Sequence, residues 1–151
     1  MQQINHVAIE RLQAIAAGEL PYPPMWQTVP LRFLSIAPGR IEMHACADQR
    51  HMNALGSVHG GFAATALDTV LGLAVYTSIG PMDRHITVDL AVKIVKVIPL
   101  DTNIVAASEL VHISRTVGVS QAVLRSADGV IYAHGTTTCM IQRDITAPVQ
   151  V

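Results

Sequence analysis

The chain has 151 residues, half of them hydrophobic and 14% charged, with a formal net charge of −1. This length suits one domain with a real core, and the lack of any basic excess argues against a nucleic-acid partner. So little surface charge favours burial of some surface between subunits, so a homo-oligomer is expected.

The two cysteines, Cys46 and Cys139, fall in strand-like segments and read as small buried residues. They do not form a disulfide framework, and a reducing compartment fits them. The N-terminus lacks a basic region followed by an apolar one, so no secretory signal is read and a cytoplasmic location is expected. There are no repeats or long linkers, and the whole of 1–151 reads as one domain. It divides into a leading helix (1–18), an extended connector (19–25), a core (26–142) and a loose tail (143–151).

From about Gln3 to Ala17, the residues Ile4, Val7, Ala8, Leu12, Ile15 and Ala16 recur at helical spacing, and Gly18 is a stop. Leu20-Pro21-Tyr22-Pro23-Pro24 reads as an extended connector, unsuited to helix or central strand. Trp26 to Ser35 reads as a strand, Pro38-Gly39 as a turn, and Arg40 to Cys46 as the return arm of a hairpin. A polar loop, 47–56, then leads into an apolar segment. From Phe62 to Val75 apolar residues occupy every face of a 3.6-residue period, broken by Thr65, Asp68 and Thr69. A helix apolar all round must be enclosed, and this one is too short and interrupted to span a bilayer, which needs about 20 apolar residues.

Four strand-like segments follow. His85 to Ile94 alternates cleanly, with Ile86, Val88, Leu90, Val92 and Ile94 on one face and Thr87, Asp89, Ala91 and Lys93 on the other. Asn103 to Ile113 and Thr116 to Ala127 are joined at Ser114-Arg115. Asp128-Gly129 is a strong hairpin signal before the last strand, Val130 to Gln142. An antiparallel sheet of about six strands, the last four as a meander, wrapped around one long apolar helix accounts for this inventory. The class is α+β.

Asp68 is the anomaly, because Asp is rarely buried unless paired. One reading has it at a wet edge, bonded to Thr65 or Thr69. The loop before the helix favours another. His59-Gly60-Gly61 lies where the helix begins, so unpaired backbone N–H groups and the positive end of the helix dipole converge there. Glycine admits a ligand oxygen close to those donors. Donors that polarise a carbonyl, with a carboxylate that attacks or activates water, are the equipment of acyl transfer. Asp68 lies eight residues beyond Gly60, about 12 Å along a helix axis, so one helix cannot bring the two together. Two antiparallel helices across a two-fold axis can, which predicts a site shared between subunits.

The residues N-x2-G-x2-H-G-G-x6-D at Asn53, Gly56, His59, Gly60, Gly61 and Asp68 resemble the hotdog-fold acyl-CoA thioesterases of the phenylacetate-pathway (PaaI-like) type. The likeness continues through T-V-D-L at Thr87 to Leu90 and the segment from Ala127 to Met140. The resemblance implies hydrolysis of an acyl-CoA to free acid and coenzyme A without metal or bound cofactor, by a dimer usually paired into a tetramer. It implies that the Gly60 N–H polarises the carbonyl, Asn53 orients it, and Asp68 of the other subunit is general base or nucleophile. Thr87 would assist that carboxylate or its water, and His59 and Gly61 would shape the substrate-binding loop.

Clean alternation places Thr87 opposite the Ile86-Val88-Leu90 stripe. If that stripe packs on the helix, Thr87 reaches the site only near an edge or across the subunit boundary. Arg115, at a strand turn, is a candidate to hold a coenzyme A phosphate bidentately, with Arg84, Lys93 and Lys96 as comparable cations. The histidines show no compact metal spacing, so no metal site is expected. Two other functions fit the same fold. A hydratase or dehydratase would need a histidine over the acyl chain, and only His59 is available. A non-catalytic acyl-CoA sensor is disfavoured by Asp68 and Asn53.

Overall fold

The computed structural model describes residues 3–144. Helix α1 is His6–Ala16. Asn5 caps it by accepting from the Ala8 N–H at 2.9 Å, and donates its own amide to the Tyr76 and Gly80 carbonyls at 3.2 and 3.4 Å. This one buried side chain both starts α1 and occupies carbonyls left over at the end of the central helix. Ala8, Leu12 and Ile15 form the buried stripe of α1, whereas Ile4 and Val7 are exposed.

The proline-rich connector departs from expectation. A short helix α2, Pro24–Thr28, replaces the first part of the expected Trp26 strand. Proline at the first helical position has its φ preset and loses no needed hydrogen bond, so the run that excludes helix upstream initiates one here. The turn buries Trp26 edge-on between Tyr22 and Phe33, at centroid distances of 6.1 and 5.4 Å.

Strands β1 (Leu31–Ala37) and β2 (Arg40–Cys46) form the first hairpin, with Gly39 at φ 71° in its turn. The central helix α3 is Gly60–Tyr76. After it come β3 (Arg84–Ile94), β4 (Asn103–Ile113), β5 (Val117–Arg125) and β6 (Ile131–Gln142). The sheet is six-stranded and antiparallel throughout, in the order β1-β2-β4-β5-β6-β3. The expected four-strand meander is therefore three strands, β4-β5-β6. β3 crosses to the far side and pairs with β6, forming one edge of the sheet.

The sheet curves around α3, which touches β2 through β6. Leu67, Val70 and Leu71 are fully buried in one cluster with Ile41, Met43, Ile104 and Leu124. Two buried serines pin the helix to the sheet: Ser108 Oγ donates to the Val70 carbonyl at 2.7 Å and Ser120 Oγ to the Leu71 carbonyl at 2.9 Å. The sheet approaches closely at glycines. A methyl group at Gly118 would lie 2.8 Å from Val75 Cγ1, and one at Gly135 would lie 2.8 Å from the Ala91 carbonyl oxygen.

Arg143 and Asp144, expected as the start of a loose tail, are held in place. Arg143 pairs with Asp83 and donates to the Ser114 and Arg115 carbonyls, and Asp144 N–H donates to Asp83. Burial pushes the Asp83 carboxyl up, but the Asp144 N–H, Arg143 and Gly80 N–H outweigh it and hold the group below the usual carboxylate range. The rest of the expected tail, 145–151, lies outside the described residues.

Candidate active site

The loop ahead of α3 is built from its own side chains. Asn53 Oδ1 accepts from the Leu55 and Ser57 N–H groups at 2.9 and 3.1 Å, an Asx-type turn. Its Nδ2 makes no hydrogen bond among the described residues. His59 caps α3, its Nδ1 accepting from the Gly61 N–H at 2.8 Å. That bond assigns the ring tautomer: Nδ1 is the acceptor, so the proton is on Nε2. His59 thus orients the loop, as the sequence suggests, and Gly61 leaves room for it, since a Cβ there would sit 2.9 Å from Nδ1. Phe62 N–H goes to the His59 carbonyl. Gly60 N–H, at the first position of α3, has no partner among the described residues and lies at the positive end of the helix dipole.

Asp68 is half-buried, two turns along the same helix. Its Oδ1 accepts from Thr87 Oγ1 at 3.2 Å. Thr69, one alternative partner, is otherwise engaged, its Oγ1 donating to the Thr65 carbonyl. Cys139, buried behind this pair, brings Sγ to 3.9 Å from Thr87 Oγ1, and burial pushes its thiol pKa up. It is therefore a neutral wall rather than a nucleophile.

The contact between Thr87 and Asp68 corrects the facing expected for β3. The register shifts between Thr87 and Asp89, so Val88 is an unpaired bulge. A bulge inserts one residue and reverses which parity points inward. Before it, His85 and Thr87 face α3. After it, Val92 packs on the core and Ile94 reaches Gly60, where a Cβ would meet Ile94 Cδ1 at 2.8 Å. Ile86 and Val88, expected on the helix side, are 57% and 59% exposed.

The description "Domain of unknown function (DUF4442)" fits residues 11–141. The chain belongs to this family. Its fold is that of solved hotdog proteins. A thioesterase family protein from Silicibacter pomeroyi is 23% identical, with a TM-score of 0.76 over 87% of this chain and 98% of that one. A phenylacetic acid degradation-related protein of Ralstonia eutropha JMP134 is 24% identical, at TM-score 0.75 over 85% and 97%. Zebra fish thioesterase superfamily member 2 is 21% identical, at 0.73 over 87% and 96%. A Halobacterium salinarum protein provisionally named an esterase is 38% identical over 76 residues, which span 48% of this chain and 49% of that protein. The hotdog fold expected from the sequence is the fold observed.

The structure brings Asp68 together with Thr87, and His59 with Gly60 and Gly61. It does not bring Asp68 to Gly60 within one chain, since both lie on the single helix α3. Arg115 is exposed near the C-terminal end of α3, where its carbonyl accepts from Arg143 Nε at 2.9 Å. Arg84, Lys93 and Lys96 are likewise exposed. Among the described residues no group of three or more His, Cys, Asp or Glu is placed to hold a metal ion, and no helix is long and apolar enough to cross a membrane.

Sequence reasoning missed His85. It stacks on Tyr76 at 5.8 Å with the rings 28° apart, and lies above Gly72, its Nε2 3.5 Å from where a Cβ would be. Burial lowers its pKa and the nearby Asp68 raises it, with burial dominant, so the ring is neutral at pH 7. Only its position two residues before Thr87, on the same strand face, marks it in the sequence.

Proposed function

We propose that the protein hydrolyses acyl-CoA thioesters to a free acid and coenzyme A, in sites shared between two subunits. The observation that carries this reading is the pairing of an unbonded Gly60 N–H at the head of α3 with a half-buried Asp68 that keeps one oxygen free of side-chain donors. The thioester carbonyl oxygen sits on the Gly60 N–H, with the free Asn53 amide orienting it. Asp68 of the partner subunit takes a proton from water as the water oxygen bonds to the carbonyl carbon. The tetrahedral oxyanion is held by the Gly60 dipole end. It collapses with cleavage of the C–S bond, and the proton passes to the coenzyme A thiolate. Thr87 holds Asp68 in place and His59 holds the loop. Gly61 gives the His59 ring its room.

The geometry of β3 supports a shared site. Within a chain, Asp68 sits beside Thr87 near one end of β3, and Gly60 sits against Ile94 at the other. The two ends are about 23 Å apart at a rise of about 3.3 Å per residue. β3 is an edge strand with exposed Ile86 and Val88, an edge of the kind that needs covering. Antiparallel pairing of two β3 edges, with Thr87 of one opposite the partner's Ile94, carries the partner's Gly60 toward Asp68. The same pairing places the partner's Lys96 opposite His85, next to Arg84. Together with Arg115 these supply exposed cations for the coenzyme A phosphates. The reaction so written uses no metal or bound cofactor, and a cytoplasmic homo-oligomer, a dimer paired further into a tetramer, is its setting.

The test is hydrolysis of a panel of acyl-CoAs by the wild type and Asp68→Asn. Loss of about 10²- to 10⁴-fold in kcat is expected for removal of a general base, and equal activity in both proteins removes the mechanism. A single turnover in labelled water separates base from nucleophile, because label enters the Asp68 carboxylate only through an acyl anhydride.

A further inference from the structure

Asp68, Gly72 and Tyr76 recur every four residues and so stack along one face of α3. Thr87 and His85, on the stretch of β3 before the Val88 bulge, face that stripe. Thr87 Oγ1 donates to Asp68 Oδ1 at 3.2 Å, and the His85 ring lies over Gly72 one turn further on. Gly72 has no side chain, so the imidazole takes the place next to Asp68. Tyr76 stacks against the ring at 5.8 Å and helps fix its plane. His85 also lines an open groove with Met82, Asp83, Arg84 and Gln142, so protons from water reach it.

Two unmatched groups thus lie one helical turn apart. Asp68 Oδ2 has no side-chain donor among the described residues, and neither ring nitrogen of His85 makes a hydrogen bond among them. The other charged and titratable groups around the ring are accounted for. From the segment before β3, Asp83 is paired with Arg143. From β6, the Cys139 thiol is kept neutral by burial. From α3, Tyr76 is uncharged. Arg84 is exposed, and under the proposed pairing of β3 edges the partner's Lys96 lies opposite His85. Both cations disfavour a charged ring. Asp68 is left as the anion that favours one, and burial outweighs it, so the ring is neutral at pH 7.

We infer that His85 is a positioning residue that controls Asp68 by its charge: neutral, it leaves Oδ2 free for the attacking water, and as a cation it donates to Oδ2 and withdraws the carboxylate from the reaction. The inference rests on the thioesterase reading, in which Asp68 is the base. A hydrogen bond between two charged groups is about twice as strong as a neutral one. One proton taken up from the groove therefore turns a bystander ring into a partner for the oxygen that the reaction needs.

The test is the pH dependence of kcat/KM from about pH 5 to 8 for wild type and His85→Gln, with thermal melts keeping each assay below unfolding. Wild type loses about tenfold per pH unit once the ring is charged. In His85→Gln, whose amide does not titrate, the ratio of kcat/KM at pH 5 to that at pH 7.5 rises about tenfold. Identical acid limbs in the two proteins overturn the inference. So does a uniform fall in His85→Gln with the limb unmoved, which would make the ring a packing group only. A second measurement is independent of hydrolysis: titration of the His85 ring by NMR in wild type and Asp68→Asn. Loss of the neighbouring anion moves its midpoint to lower pH, and an unmoved midpoint overturns the pairing. A moved midpoint in a protein that hydrolyses no acyl-CoA overturns the thioesterase reading and leaves the charge coupling standing.

Discussion

At the scale of single residues, the site depends on groups whose burial and bonding leave them one free valence each. Gly60 shows why its N–H can be tested without disturbing the fold. It is the first residue of α3, and His59 before it has φ −65° and ψ 139°, the extended backbone that a following proline requires. Gly60→Pro therefore removes the N–H at a position where helices accept proline. The added Cβ meets the flexible end of Ile94. The expected outcome is a melting temperature within a few degrees of wild type and a fall of about 10²- to 10³-fold in kcat, the size associated with loss of an oxyanion donor. Thr87→Val keeps the shape and deletes the hydroxyl that donates to Asp68. The carboxylate loses a bond that fixes its position, so a fall of about tenfold in kcat at a nearly unchanged melting temperature is expected. The motif residues were legible because their roles are local: a cap, a turn and a free amide all lie within a few positions. Thr87 was legible as a residue type but not as a direction, because nothing in T-V-D-L announces the Val88 bulge.

At the scale of elements, β3 carries the main difference between pattern and structure. Its apolar alternation is clean in sequence, yet half of it faces outward, because the strand is an edge and its phase reverses at Val88. The crossing of β3 to the far side of β6 is a long-range choice, and local turn signals are silent about it. The Pro24–Thr28 helix was hidden for the opposite reason: a proline run that breaks upstream structure also presets the first turn. Two measurements follow for the β3–β6–α3 packing. In Gly135→Ala the new methyl group meets the Ala91 backbone oxygen, which cannot rotate away. A loss of about 1–3 kcal/mol in denaturant unfolding is expected. His85, held below its ordinary pKa by burial between β3 and α3, gives a pH dependence. Below about pH 6.5 the unfolded chain takes up a proton that the folded chain refuses. Stability is thus whole above that pH and declines as the pH falls toward the lower folded value. His85→Gln should flatten that part of the stability curve.

At the scale of the whole molecule, the single chain carries Gly60 and Asp68 but keeps them apart on one helix. No bending of α3 joins Gly60 to its own Asp68, because the helix is continuous from Gly60 to Tyr76 and pinned midway by Ser108 and Ser120. Under the proposed reading a second copy supplies the partner of each group, and subunit mixing tests this. Take Gly60→Pro and Asp68→Asn, each inactive alone, unfold them together and refold them as a mixture. If each site draws Gly60 from one protomer and Asp68 from the other, a mixed dimer has one site with both residues intact and one with both lost. Random pairing makes about half the dimers mixed, so activity returns to about a quarter of wild type. Sites contained within one chain would regain nothing, whatever the mixing ratio. A parallel mixture with Val88→Lys in both chains, which puts a charge on the exposed β3 edge, should abolish the recovery by blocking association, without altering the fold of either protomer.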